Sequence, residues 1–302
     1  MSKNFLVTGA ARGIGRGLAR HLLASNHRVF LVDVDTRELE HTACMLSKTH
    51  PHDTFATCVA DLRSPSAITL AAQQARSFFA GRLDCLVNNA AYTGGVGGPS
   101  LQDMTLEEWN KSIQTNLTAP MLMTQACLDM LVAAGGCVIH VSSTRAVMSE
   151  PDNEAYAATK AGLLGLTQSM AVSLGGKGVR VNAILPGWIH VGDECKEADE
   201  KGTEWQDGLS EEDMRWHLTG RVGKVDDVAR AVAYLLDARG VSLFQLLGPS
   251  MPMLLYIIDR VESRDVYFGL GECILPKDRN GRQRQFATIY LSTMSSVGGF
   301  II

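Results

Sequence analysis

Short unbroken apolar runs alternate with longer stretches of helical periodicity over the first 240 residues. The runs at residues 5–7, 28–32, 83–87 and 137–141 lack the polar alternation of a half-exposed strand, so they read as strands buried on both faces. Between them apolar positions recur every three or four residues, as at Leu18, Leu22 and Leu23, and predict helices. Further helices are expected over 36–48, 66–79, 155–174 and 225–236. Another strand should end at Val59, Ala60, Asp61 and Leu62, and one more should span 178–184 before Pro186 and Gly187. Five to six β-then-α units in series predict an α/β fold, a three-layer doubly wound parallel sheet.

Composition narrows the function classes. The chain has 302 residues and a net charge of −4, which disfavours a polyanionic partner such as nucleic acid. Seven cysteines carry no Cys-x-x-Cys pair and no His/Cys ligand run, so reduced thiols and a cytoplasmic location are expected, without a metal site. The first strand starts almost at once, leaving no room for a signal peptide, and runs such as 253–258 are too short to span a membrane.

Candidate chemistry lies at the strand ends. Thr8, Gly9, Arg12, Gly13, Ile14 and Gly15 follow the first strand and open a helix. Glycines there allow a tight turn and a close approach of backbone to phosphate, while the helix N-terminus offers amides to a pyrophosphate. The same triplet would also serve a turn that needs only backbone freedom. Asp33, about 20 residues on, is placed to accept ribose hydroxyls and to repel a 2′-phosphate, which favours NAD; Arg12 favours NADP. Asp61 and Leu62, then Asn89 and Ala90, end the next strands. Asp61 is not needed as a helix cap because Ser64 is better placed. Asn116, poorly suited to mid-helix, should bend the helix or hold a water.

The most pointed arrangement is Ser143, Tyr156 and Lys160. The 137–141 strand delivers Ser142 and Ser143, and a helix carries Tyr156 and Lys160 four residues apart on one face. A phenol ordinarily titrates near ~10, a nearby ammonium favours its phenolate, and a serine hydroxyl can hold the oxygen of a reacting group. Residues 188–220 change character, with several acids and Trp188, Trp205 and Trp216; they read as a lobe over the site or as a solvated helical insertion. Together with Met214 the tryptophans could line an apolar substrate pocket.

These motifs, in this order, resemble the short-chain dehydrogenase/reductase family of Rossmann-fold enzymes over about residues 3–240. The likeness rests on the Thr8 to Gly15 turn, on Asn88-Asn89-Ala90, and on Ser143, Tyr156 and Lys160 with their spacing of 13 (143 to 156). It implies Tyr156 as general acid/base, Ser143 holding the substrate oxygen, and Lys160 lowering the tyrosine pKa and binding ribose. Asn116 would position a water, and Pro186, Gly187 and Ile189 would lie beside the nicotinamide. The implied activity is NAD(P)-dependent interconversion of a secondary alcohol and a ketone, with a small-molecule substrate, no membrane, and a homo-oligomer as the family habit. Ala91 and Val191 depart from the family's glycine and threonine, and Val191 forgoes one hydrogen bond to the coenzyme. Residues 241–302 lack the family's last-strand motif. They read as a diverged extension or an altered chain end, with a substitute strand at 253–258 crowded by Pro249 and Pro252. The tail motivates an alternative, a nucleotide-binding protein with little or no catalysis.

Overall fold

A computed structural model describes residues 2–215, 217, 219–237 and 254–256. Its strands are β1 (Asn4–Thr8), β2 (Arg28–Asp33), β3 (Phe55–Val59), β4 (Cys85–Asn88), β5 (Cys137–Val141), β6 (Arg180–Leu185) and β7 (Leu254–Tyr256). Every pairing is parallel and the order is β3-β2-β1-β4-β5-β6-β7. The doubly wound sheet expected from the sequence is therefore present, with one strand more. The substitute strand forms over three residues, its Leu254 level with Ala183 of β6. The rest of the tail lies outside the described residues.

Strands β1 to β6 each serve two cores because successive side chains point to opposite faces. Phe5 and Val7 join the core beneath α1 (Gly13–Ala24), α2 (Thr36–Ser47) and α9 (Val225–Asp237). Leu6, between them, joins the core beneath α3 (Pro65–Phe78), α5 (Ala119–Ala134) and α6 (Glu154–Gly175). Local chemistry sets the helix starts. Asp35 caps α2 by accepting from the Glu38 amide, and Ser64 caps α3 ahead of Pro65, which leaves Asp61 free of that duty.

The helix α4 (Leu106–Ile113) runs through a π turn (Gln114–Thr118) into α5. This Leu106–Ala134 stretch is long and apolar enough by composition to cross a membrane, a feature missed from sequence. Its apolarity has a local explanation: Met123, Cys127, Met130 and Leu131 are fully buried against the sheet. Asn116 sits in the π turn, where the widened backbone accommodates it. The 188–220 lobe contributes two short helices, α7 (Lys196–Lys201) and α8 (Glu211–Arg215).

Candidate active site

The chain crosses over between β1 and β4, and the carboxyl ends of the strands there open into a cleft of about 690 Å³, within the usual range of cofactor pockets. Its floor is the turn from β1 into α1. Gly9 has φ +65°, and a Cβ there would stand 2.7 Å from the Ala90 Cα; at Gly15 a Cβ would stand 2.0 Å from the Gly9 carbonyl oxygen. No side chain fits either position. Asn89 sews this turn to β4: its Nδ2 donates to the carbonyls of Thr8 (2.9 Å) and Gly9 (3.0 Å). The amides of Asn89 and Ala90 both donate to Thr8 Oγ1. Gly13 and Gly15 shape the turn from behind, whereas Gly9, Arg12, Ile14, Asn89 and Ala90 line the cleft. Arg12 caps α1 in an extended conformation with no side-chain cap bond, so the start of α1 meets the cleft without one of its own side chains filling the anion position.

At one end Asp33 ties β2 to the glycine turn, its carboxylate accepting from the amides of Ala11 (2.9 Å) and Asp35 (3.0 Å). Beyond it the Arg63 guanidinium clasps the Asp61 carboxylate, with Nη2 to Oδ2 at 2.7 Å, and holds that carboxyl below its ordinary range. Leu62 lines the cleft beside them. Acids thus accompany both cations near Asp33: Asp61 pairs with Arg63, and Glu197 lies close enough to feel the charge of Arg12.

The opposite wall is β5 and α6. Ser142 donates to the Lys160 carbonyl (2.7 Å), pinning α6 to the strand end. Ser143, next along, hydrogen-bonds the Tyr156 phenol. Burial pushes that phenol above its ordinary pKa, against the pull of the Ser143 bond and the Arg145 guanidinium. Lys160 makes no hydrogen bond to the phenol. Its Nζ donates instead to the Val141 carbonyl (2.8 Å) and lies 5.4 Å from the tyrosine ring centroid. Burial lowers Lys160 itself to about 8. Behind the wall, fully buried Asn116 accepts from the Tyr92 amide (2.6 Å) and donates to the Tyr92 carbonyl (3.1 Å) and to Thr159 Oγ1 (3.2 Å). Its side chain is spent on locking the loop after β4 to α6.

Pro186, Gly187, Tyr156 and Lys160 line the cleft as expected, but Ile189 does not. It is buried in the core and bridges to Gly223, and partly buried Val191 lines the cleft instead. Of the residues expected to form an apolar pocket, Trp188, Trp205 and Met214 do not line this cleft, and Trp216 lies outside the described residues. The reason is long-range partners. The Trp205 ring carries the Lys224 ammonium 4.0 Å from its centroid, and Trp188 packs on His217. Conversely Tyr92, Thr93, Lys111 and Thr115 line the cleft unforeseen. Tyr92 donates to Glu108 (2.5 Å), which also holds Lys111 (2.8 Å). Their signal was available: Tyr92 and Thr93 directly follow the strand-end motif, and Lys111 and Thr115 share a helix face.

The chain belongs to the short-chain dehydrogenase/reductase family: residues 9–242 match the family model described as enoyl-(acyl carrier protein) reductase. It is similar to an uncharacterized oxidoreductase of Thermotoga maritima, 34% identical over 233 residues, covering 77% of this chain and 87% of the relative. It is also similar to a 3-oxoacyl-(acyl-carrier-protein) reductase of Staphylococcus aureus, 34% identical over 240 residues, with coverage of 78% and 91%. Among solved structures, the 3-ketoacyl-(acyl-carrier-protein) reductase of Brucella melitensis complexed with NADH superimposes with TM-score 0.66 at 25% identity, covering 84% of this chain and 96% of that one. The protein is thus an oxidoreductase of this family.

Proposed function

We propose that the chain interconverts a secondary alcohol and a ketone with a nicotinamide coenzyme, NAD in preference to NADP. The observation that carries this reading is the convergence of Ser143, Tyr156 and Lys160 on one wall of a cleft whose floor is the glycine turn. The cleft fits a dinucleotide: an α1 start without a side-chain cap, carboxylates where ribose hydroxyls would lie, and a polar triad at the other end. Asp33 would hold the adenosine ribose, the start of α1 the pyrophosphate, and Lys160 the second ribose. When bound, the coenzyme supplies or accepts the hydride.

The residues account for the proton. Ser143 donates to the substrate oxygen and fixes it beside the phenol. Tyr156, held above its ordinary pKa by burial, is protonated at neutral pH and stands ready as an acid. Carbonyl reduction is accordingly favoured at neutral pH, and alcohol oxidation rises towards alkaline pH as the phenol ionises. Lys160, with a pKa of about 8, carries its charge at neutral pH and sheds it as pH rises through that value, before the phenol ionises.

The test is a panel of ketones, 3-oxoacyl thioesters and polyols assayed with both coenzymes, for the full chain and for Tyr156→Phe. Coenzyme-dependent turnover of at least one compound, lost in the variant, is expected. Turnover that survives the substitution would sink the assignment of Tyr156.

A further inference from the structure

The turn that follows Ser143 carries a cation for which the proton chemistry has no step. Ser143 caps the single-turn helix Thr144–Ala146, its Oγ accepting from the Arg145 amide (3.2 Å). That bond takes up a lone pair and leaves the hydroxyl proton for a substrate oxygen. The Thr144 amide donates to the Pro186 carbonyl (3.0 Å), so the turn is fixed to a strand end that lines the cleft. Arg145 is thus held next to the catalytic wall, and its guanidinium is close enough to act on the Tyr156 phenol.

The guanidinium is neither sealed nor saturated. The side chain is 22% exposed, and its Nη2 meets Glu150 Oε2 at 2.5 Å. Its Nε and Nη1 meet no acceptor among the described residues. The loop behind the pair is built, not loose. Asn153 Nδ2 donates to the carbonyls of Glu150 (3.4 Å) and Pro151 (2.8 Å), and the Gly98 amide to the Asp152 carbonyl (3.0 Å). Asp152 adopts φ +59°, which a residue with a side chain keeps only where its surroundings enforce it. Glu150 therefore steadies the cation in place and leaves it donors to spare.

We propose that Arg145 is a specificity-determining residue and that the substrate carries a carboxylate, held by the guanidinium while Ser143 and Tyr156 hold the reacting oxygen. The substrates are then oxo acids and the matching hydroxy acids. This deepens the alcohol–ketone reading and rests on it. A guanidinium with unused donors gains charge-assisted hydrogen bonds from a carboxylate that a neutral ester does not match. The cleft offers little to an apolar tail in exchange: among the described residues its aromatic lining is Tyr92 and Tyr156, both phenols. Arg145 is not part of the cleft lining, as befits a group that meets the end of the substrate farther from the coenzyme.

Full-length wild type, Arg145→Met and Arg145→Lys are assayed for NADH oxidation with 2-oxobutanoate, 3-oxobutanoate and 4-oxopentanoate, each beside its methyl ester. The series sets the carboxylate at increasing distance from the ketone. For at least one pair the wild type should favour the acid about tenfold in kcat/KM, the scale of a hydrogen bond to a charged group. Arg145→Met should lose that preference, mainly through KM, and Arg145→Lys should regain part of it. The acid-to-ester ratio is the readout, so any effect of the guanidinium on the phenol cancels. Wild type that turns over every ester as well as its acid overturns the proposal, as does Arg145→Met that weakens both alike. If neither variant folds, the wild-type ratio carries the test. Wild type that reduces neutral ketones but none of the acids overturns the carboxylate alone; wild type that reduces no ketone of either kind overturns the alcohol–ketone reading with it.

Discussion

The two sides of the cleft handle ionisable groups in opposite ways. On the β5–α6 wall the buried ones have no ion-pair partner among the described residues: Tyr156 lies by Ser143, Lys160 donates to the Val141 carbonyl, and His140, fully buried on β5, meets Thr167 Oγ1 at 2.9 Å. On the coenzyme side they are buried or half-buried in pairs, Asp61 with Arg63, Asp199 with Arg16, and Glu194 with Arg20. Pairing favours the charged form and fixes geometry, whereas burial without a counter-charge favours the neutral form and readies a group for proton transfer. The wall is therefore built for chemistry and the other side for holding.

Substitutions can break that division, and the largest effect belongs to the wall. Tyr156→Phe should lower turnover by roughly 10³-fold, the scale of a lost general acid, with NADH affinity unchanged in a fluorescence titration. Comparable losses of both would erase the distinction between the two sides.

Next comes pH. Burial lowers His140 from 6.5 to about 4, with the Lys160 charge adding to it. Its folded form stays neutral while the unfolded chain gains a proton, so its contribution is intact above pH 6.5 and lost as pH falls towards 4. That amounts to about 3 kcal/mol. Denaturant unfolding of wild type and His140→Asn across this range should show a shallower acid loss in the variant. Identical slopes would mean His140 is not held neutral by burial.

The floor that both sides share comes third. Gly9→Ala places a Cβ 2.7 Å from the Ala90 Cα at a left-handed φ and should cost about 2 kcal/mol in thermal or chemical unfolding. A neutral result would show that the β4 loop gives way easily. The smallest effect tests coenzyme choice: Asp33→Ser should shift the NADH-to-NADPH affinity ratio about tenfold towards NADPH, or about 1.4 kcal/mol. An unchanged ratio would assign selection to Arg12 instead.

These differences also explain what could be read from the chain. Ser143, Tyr156 and Lys160 were legible because a strand end and a single helix turn bring them together. Asp33 was legible because the β1–α1–β2 unit fixes its distance from the glycines. The Arg16–Asp199 pair was not, since the two residues are 183 apart in the chain and nothing local marks them as partners. The placement of Trp188 and Trp205 away from the cleft was not legible for the same reason, because their partners His217 and Lys224 are distant in sequence. Asn116 was flagged by its poor helix propensity, but its clamp on the Tyr92 backbone depends on a π turn that propensity does not foretell.

The most direct test of the account is a fluorescence titration of the full-length chain with NADH, run beside NADPH. It predicts saturable one-site binding of NADH, tighter than NADPH and retained in Tyr156→Phe. A folded protein that binds neither coenzyme would contradict it.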